Sequence, residues 1–384
     1  FLKKTLRSDL GFGLMSMFPM LGCRGHLSLV LEFLTIPDLD GWHPCLRLKG
    51  DWLIFKISDG TLSGYGEASH SKQDEACREI AGRLFEKRIR NFDLSLDQLR
   101  TLEKELAATE PDFVTATAWS GINQALYDLL AKREQVPVWQ LFRDRTSLER
   151  LELYTTINRS LRARDHADYI DNVGSTRDQG FRVIKCAPFE KVVVKETAVA
   201  DSDEGLATLA MLIERFPGLK IRVDFHERFS VENFLEIVPK LNELALDWIE
   251  EPFEMGDAYH KLRERSGNRL AAGELFWGSK RFCELADNQW VDVIMPDVKH
   301  VGGFGPLLNV INATADRIEV SPHNPSGPVS TAASLHAAAA RPSHVRSLEY
   351  ALDKGLSRRK YGEYVEDGFL YLSDRPGWGI EVEI

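Results

Sequence analysis

Between residues 150 and 350 the chain alternates short apolar runs with longer stretches whose apolar positions recur at helical spacing. Strand-like runs fall at 151–158, 181–187, 219–226, 246–251, 270–275, 291–297, 317–323 and 345–350. Helical stretches separate them, as at 203–215, 230–242, 305–315 and 328–340. Strands and helices in this strict alternation predict a β/α barrel.

The preceding part has a different pattern. Leu27–Leu34 and Cys45–Ser58 read as strands, and the second continues through Ser58-Asp59-Gly60-Thr61 into Ser63–Glu67. That is a hairpin by its turn chemistry. Residues 73–92 and 96–109 read as helices, and Ala116–Arg133 more strongly so, with Ile122, Ala125, Leu126, Leu129 and Leu130 at helical spacing. The stretch 360–384 is rich in glycine and aromatic residues, with short strands, and is expected to pack back on the N-terminal part. The predicted organisation is an extension (1–26), an α+β capping domain (27–147), a barrel (148–352) and a closing segment (353–384).

A length of 384 residues suits a barrel with an attached domain. The net charge of −10 argues against nucleic acid, which needs a concentrated basic face. Cys23, Cys45, Cys77, Cys186 and Cys283 are scattered without a CxxC pair, as expected of reduced thiols in a cytoplasmic protein. Lys3, Lys4 and Arg7 precede an apolar run ending at Cys23, which superficially resembles an export signal. Pro19 and several glycines interrupt it and it is too short to span a bilayer, so it reads as an extension. No later stretch is a candidate membrane span.

Barrel sites are built at the C-terminal mouth of the strands, where alternate residues share a face. The third strand ends Asp224-Phe225-His226, the fourth Ile249-Glu250-Glu251-Pro252, and the fifth Gly273-Glu274. One strand-end carboxylate is unremarkable as a helix cap or ion-pair partner. Asp224, Glu250 and Glu274 on consecutive strands would repel one another, and a hard divalent cation resolves that repulsion. An all-oxygen set favours magnesium over zinc.

The sixth strand runs to Asp297 and the seventh to His323, which makes them neighbours. A carboxylate beside an imidazole fixes its tautomer and raises its basicity, as a general base requires; a structural His–Asp pair is the alternative. Lys185, inward on the second strand, is a counter-ion to the acidic ring or a contact to an anionic substrate, and the second role is preferred. Glu349 closes the eighth strand as an ion-pair partner or a substrate contact. Trp42 and His43 lie in the loop Ile36–Pro44, where they touch substrate or form an exposed tip.

Together these residues resemble the enolase superfamily, in its mandelate racemase-like branch. The resemblance covers the chain from about residue 27. It is carried also by Gly64-Tyr65-Gly66-Glu67-Ala68, by Ala118–Arg143 with Ser120-Gly121-Ile122, by Trp248–Pro252, and by Pro376-Gly377-Trp378-Gly379-Ile380-Glu381. It implies a modified (β/α)7β TIM-type barrel, an α/β fold, with an α+β cap completed by the C-terminal segment. It also implies one magnesium ion per subunit on Asp224, Glu250 and Glu274, an Asp297–His323 base, and Glu349 bonded to the carboxylate of a small-molecule substrate. A dimer or octamer, with neither nucleic acid nor membrane as partner, goes with it.

Two details narrow the implied reaction. Ala187 stands where the racemase pattern has a second lysine base. Asp224-Phe225-His226 and Ser321–Pro328 resemble the galactonate dehydratase-type sugar-acid dehydratases, in which this histidine helps protonate the leaving hydroxyl. The expectation is therefore a hydro-lyase acting on an aldonate or aldarate, with His323 as base and His226 as acid. The alternatives are an epimerase or cycloisomerase of the same superfamily, or a barrel that binds metal or sugar acid without turnover. A phosphate-handling barrel is disfavoured, because Asn324–Val329 offers one glycine where a phosphate loop needs several.

Overall fold

The computed structural model describes residues 28–36, 42–43, 48–49, 52–69, 72–192, 202–352 and 357–382. Among these, the N-terminal part has a three-stranded antiparallel sheet of β1 (Val30–Ile36), β4 (Trp52–Ser58) and β5 (Ser63–Glu67), in the order β1-β4-β5. A separate two-stranded ribbon pairs β2 (Trp42–His43) with β3 (Leu48–Lys49). Helices α1 (Asp74–Leu84), α2 (Leu96–Ala107) and α3 (Phe113–Arg133) follow. The helix expected over 73–92 is α1 continued by a π-helical turn at Phe85–Ile89.

Helix α3 is buried nearly all round from Ala116 to Ala131, because it packs on the sheet on one side and on the barrel on the other. Gly64 and Gly66, on one face of β5, let the strand lie directly on it. A Cβ at Gly66 would overlap the Gly121 carbonyl oxygen, and one at Gly64 the Ala125 carbonyl oxygen. Neither neighbour can move without breaking the helix. Gly66→Ala is therefore expected to cost about 3 kcal/mol, the upper end of overpacking, read as a lowered urea midpoint at unchanged slope.

The barrel strands are β6 (Arg150–Thr156), β7 (Val183–Cys186), β8 (Lys220–Asp224), β9 (Trp248–Glu250), β10 (Leu270–Ala272), β11 (Val293–Ile294), β12 (Glu319–Val320) and β13 (Leu348–Ala351). They pair in parallel in chain order from β6 to β12, and β13 pairs with β6. A parallel bridge from Val320 to Val345 closes the ring. Between them run α4 (His166–Asp178), α5 (Asp203–Arg215), α6 (Val231–Asn242), α7 (Ala258–Arg265), α8 (Lys280–Asn288), α9 (Phe304–Thr314) and α10 (Pro328–Ala340). This is the expected (β/α)7β order, with β6 followed by α4 and, after β13, only a 3-10 turn at Ser357–Tyr361 and no described α-helix. Tyr154, Val183, Trp248, Ala271, Val293 and Met295 form a buried layer of their own beneath the mouth.

Several strands are shorter than their sequence runs. β10 stops before Gly273 at φ 110°, β11 before Pro296 and β12 before Pro322. Proline cannot donate to a ladder and a left-handed glycine leaves it. Glu274, Asp297 and His323 thus lie on the turns just past the strands rather than in them.

The C-terminal segment forms a hairpin of β14 (Val365–Glu366) and β15 (Phe369–Tyr371), and β15 pairs antiparallel with Arg150–Glu152 of β6. Beyond it, Trp378 returns to the N-terminal part. Its indole N–H donates to the Tyr65 carbonyl (2.8 Å) and its backbone N–H to Asp128 Oδ1 on α3 (2.8 Å). His336 on α10 locks this joint: Nδ1 accepts from the Trp139 N–H (3.3 Å) and Nε2 donates to the Trp378 carbonyl (3.1 Å).

Burial holds His336 down at about 3, so it is neutral in the folded protein. An unfolded histidine titrates near 6.5. The contribution is full above that value and lost as pH falls from about 6.5 towards about 3, because only the unfolded chain binds the proton. The stability gap between wild type and His336→Asn should therefore narrow on acidification, by about 2–3 kcal/mol at pH 4.5. Parallel urea titrations at pH 7 and 4.5 read it.

No helix among the described residues is long and apolar enough to cross a membrane.

Candidate active site

At the mouth, β8, β9 and the turn after β10 bring Asp224, Glu250 and Glu274 together. Each offers an oxygen within 4.8 Å of the others'. Three converging carboxylates are a hard, all-oxygen donor set, which fits a divalent cation such as magnesium. Asp224 and Glu250 are registered opposite one another across the β8–β9 pairing. The Trp248 indole N–H donates to Glu250 Oε2 at 3.0 Å and orients that carboxylate from below.

Lys185 sits at the centre of this ring. Its Nζ lies 2.6 Å from Glu250 Oε1, 3.1 Å from Glu349 Oε1 and 3.2 Å from Asp224 Oδ2, with its side chain only 2% exposed. Burial disfavours its charge, but Glu250, Glu349 and Asp224 outweigh that and hold the ammonium well above its usual range. Burial and the neighbouring carboxylates push Glu250 up, against Lys185. Asp224 is held low despite burial, by His226 and Lys185.

The expected Asp297–His323 pair is present, with Nδ1 2.8 Å from Asp297 Oδ2. His323 Nε2 faces the ring, 3.0 Å from Glu274 Oε2 and 3.7 Å from Glu349 Oε2. Burial opposes its protonation, yet Glu274 and Glu349 hold the imidazole well above its usual value. Asp297 is fully buried; Lys299 and His300 lead the groups that keep it ionised. The Lys299 backbone N–H donates to Oδ1 at 2.7 Å, and its ammonium lies 3.3 Å from Oδ2. His300 hydrogen-bonds Thr117 of α3 through Nδ1 at 2.9 Å. Ser120 and Asn123, one and two turns on, hold the backbone at Gly302 and Phe304, so α3 buttresses the loop behind the dyad.

His226 reaches the ring from the other side. It sits in a turn at φ 49°, so strand alternation does not extend to it, but Nε2 still lies 3.1 Å from Asp224 Oδ2. Its side chain is 39% exposed. Burial would lower it, and the Asp224 carboxylate overrides this and raises it to about 9.

Glu251, adjacent to Glu250, should face away by alternation. A φ of 39° turns its carboxylate inward to accept from the Gly273 and Glu274 N–H groups at 2.8 and 3.2 Å. It thereby positions the Glu274 backbone, and burial pushes its carboxyl up to about 8. Ala187 is buried, and its N–H donates to Asn158 Oδ1 at 2.8 Å.

A cavity of about 330 Å³ opens over the ring, with Lys185, Asp224, His226, Glu274, His323 and Glu349 among its walls. Sequence reasoning missed the rest of its lining, above all Arg159, Arg164, Glu190 and Arg228. They stand in loops beyond the strands, and their convergence has no sequence signal. Trp42 and His43 form β2, but residues 37–41 and 44–47 and the side chains of Trp42 and His43 fall outside the described residues.

Two family profiles match the chain. "Enolase C-terminal domain-like" covers residues 168–383, and "Mandelate racemase / muconate lactonizing enzyme, N-terminal domain" covers residues 49–142. Among solved structures, a mandelate racemase/muconate lactonizing enzyme-like protein from Rubrobacter xylanophilus superposes with a TM-score of 0.81 at 23% identity, over 94% of this chain and 96% of that one. A similar protein from a Roseovarius species gives 0.80 at 20%, over 93% of each. An Agrobacterium radiobacter enolase, provisionally described as a galactarate dehydratase and bound to sodium and L-malate, gives 0.78 at 24%, over 92% of each. At these identities the likeness shows a shared fold.

Proposed function

The chain belongs to the enolase superfamily, in its mandelate racemase/muconate lactonizing enzyme branch, and from that premise we propose that it dehydrates a sugar acid to a 2-keto-3-deoxy acid. The observation that carries this reading is a pair of imidazoles, His323 and His226, facing one acidic ring within one cavity. Asp224, Glu250 and Glu274 would hold magnesium, which supplies Lewis-acid stabilisation of the charge that develops on the substrate carboxylate.

With Glu274 engaged by the metal and Glu349 by the substrate carboxylate, the pull that holds His323 protonated would ease. The neutral imidazole takes the α-proton on Nε2, while Asp297 fixes Nδ1–H and stabilises the imidazolium that forms. Lys185 and Glu349 orient the carboxylate. Collapse of the resulting enediolate breaks the β-carbon–oxygen bond, and the departing hydroxyl leaves as water with a proton from His226. The enol then tautomerises to the 2-keto acid, so substrate equals product plus one water. With Ala187 in place of a second base, return of a proton to the opposite face of the α-carbon has no lysine to perform it. One magnesium per chain, an assembly of two or eight chains, a cytoplasmic setting, and substrate contacts from Trp42 and His43 belong to the same proposal.

The test is incubation with magnesium and a set of aldonic and aldaric acids, scored for 2-keto acids with semicarbazide. The expected result is a signal abolished by EDTA and by His226→Asn, with the His226 variant still exchanging the α-hydrogen. Epimerised acid without any keto product would replace dehydration with epimerisation.

A further inference from the structure

The upper wall of the cavity has the opposite charge to its floor. Arg159 and Arg164 come from the loop after β6, Arg228 from the turn after β8, and the carboxylate of Glu190 from the segment after β7. Arg159 Nη1 donates to the Pro325 carbonyl at 2.7 Å, two residues past His323. Arg164 is ion-paired with Glu190 and donates from Nη2 to the Asn158 carbonyl at 3.0 Å. Arg228 Nη1 donates to the Val192 carbonyl at 3.1 Å, and its Nε–H is buried without a hydrogen-bond partner among the described residues. Among the described lining residues three guanidinium groups stand against the single Glu190 carboxylate, so this part of the wall carries a positive excess above the acidic floor.

From this polarity we infer that the substrate is a dianion, a sugar diacid whose second carboxylate is held by Arg228 with Arg159 and Arg164. The inference rests on the sugar-acid reading above and narrows it from aldonates and aldarates to aldarates. A chain with a carboxylate at each end meets one charge requirement at the floor and another at the wall. An aldonate presents a neutral hydroxyl to the wall and gives its guanidinium groups no charged acceptor. Planar guanidinium groups match carboxylates in two-point geometry, and charge-assisted hydrogen bonds are the stronger kind. The cavity of about 330 Å³ lies at the small end of ligand sites, as a single short acid requires.

The test is calorimetric titration of the magnesium-supplemented full chain with four- to six-carbon aldaric acids, each against the aldonic acid of matched configuration. The expected result is a diacid that binds about 10- to 100-fold more tightly than its monoacid partner. Arg228→Gln should erase that difference by weakening the diacid alone, and Arg228→Lys should restore part of it. Equal or tighter binding of the aldonate to the wild type overturns the inference. If that aldonate is also turned over to a 2-keto acid, the proposed dehydration stands without it. Binding of neither member of any pair overturns both.

Discussion

Replacing His323 with asparagine is expected to lower turnover of the cognate acid by about 10²–10⁴-fold, the usual contribution of a positioned general base. The variant should fold. Asp297 keeps the Lys299 N–H at 2.7 Å and the Lys299 ammonium at 3.3 Å, so its buried charge is not stranded when the imidazole leaves. The carboxylates proposed to hold the metal keep their places, Glu274 losing only its 3.0 Å contact to His323, and magnesium titration should stay close to wild type. Steady-state kinetics beside thermal unfolding check both halves. Turnover within a few-fold of wild type would place the base elsewhere, with Lys299 the next group to examine.

The largest stability effect is expected at Lys185. Its ammonium is the common partner of Glu250, Glu349 and Asp224, all buried. Methionine fills similar space without the charge, and Lys185→Met leaves those carboxylates facing one another. Removing one partner of a buried ionic cluster costs about 3–5 kcal/mol, far more than the pairing itself contributes. A divalent cation that binds only the folded chain offsets part of the loss by mass action. The variant should therefore unfold well before wild type in EDTA and gain more than wild type from added magnesium. Urea titrations with and without the metal read this. Equal stability of the two proteins in EDTA would mean that the ring does not depend on Lys185.

These expectations rest on residues that the sequence marks unequally. The barrel was legible because its strands are buried runs cut at a regular place. The breaker at each end (Pro252, Gly273, Pro296, Pro322) puts a candidate functional side chain at the mouth, whether or not the strand itself extends that far. Asp224, Glu250, Glu274, Asp297 and His323 were therefore readable in order along the chain, and the structure brings them into contact. Alternation failed where the backbone turns left-handed, at His226 and Glu251; one still reached the site as expected, and the other arrived unforeseen. Lys299 and His300 were hidden for another reason. Their roles depend on Asp297 and on Thr117 of α3, which is 183 residues from His300 in the chain and beside it in the fold. The arginine wall is the extreme case, since its members follow different strands and meet only because the ring closes.

The measurement that bears most directly on the central claim is hydrogen exchange at the α-carbon. The magnesium-loaded protein is incubated in deuterium oxide with an acid it binds, and the recovered acid and product are read by proton NMR. The account predicts that solvent deuterium replaces the α-hydrogen of recovered substrate or enters C3 of the 2-keto-3-deoxy product. It predicts that both signals vanish with EDTA and in His323→Asn. Deuterium incorporation at the wild-type rate in that variant, or none in the wild type with an acid it demonstrably binds, would contradict it.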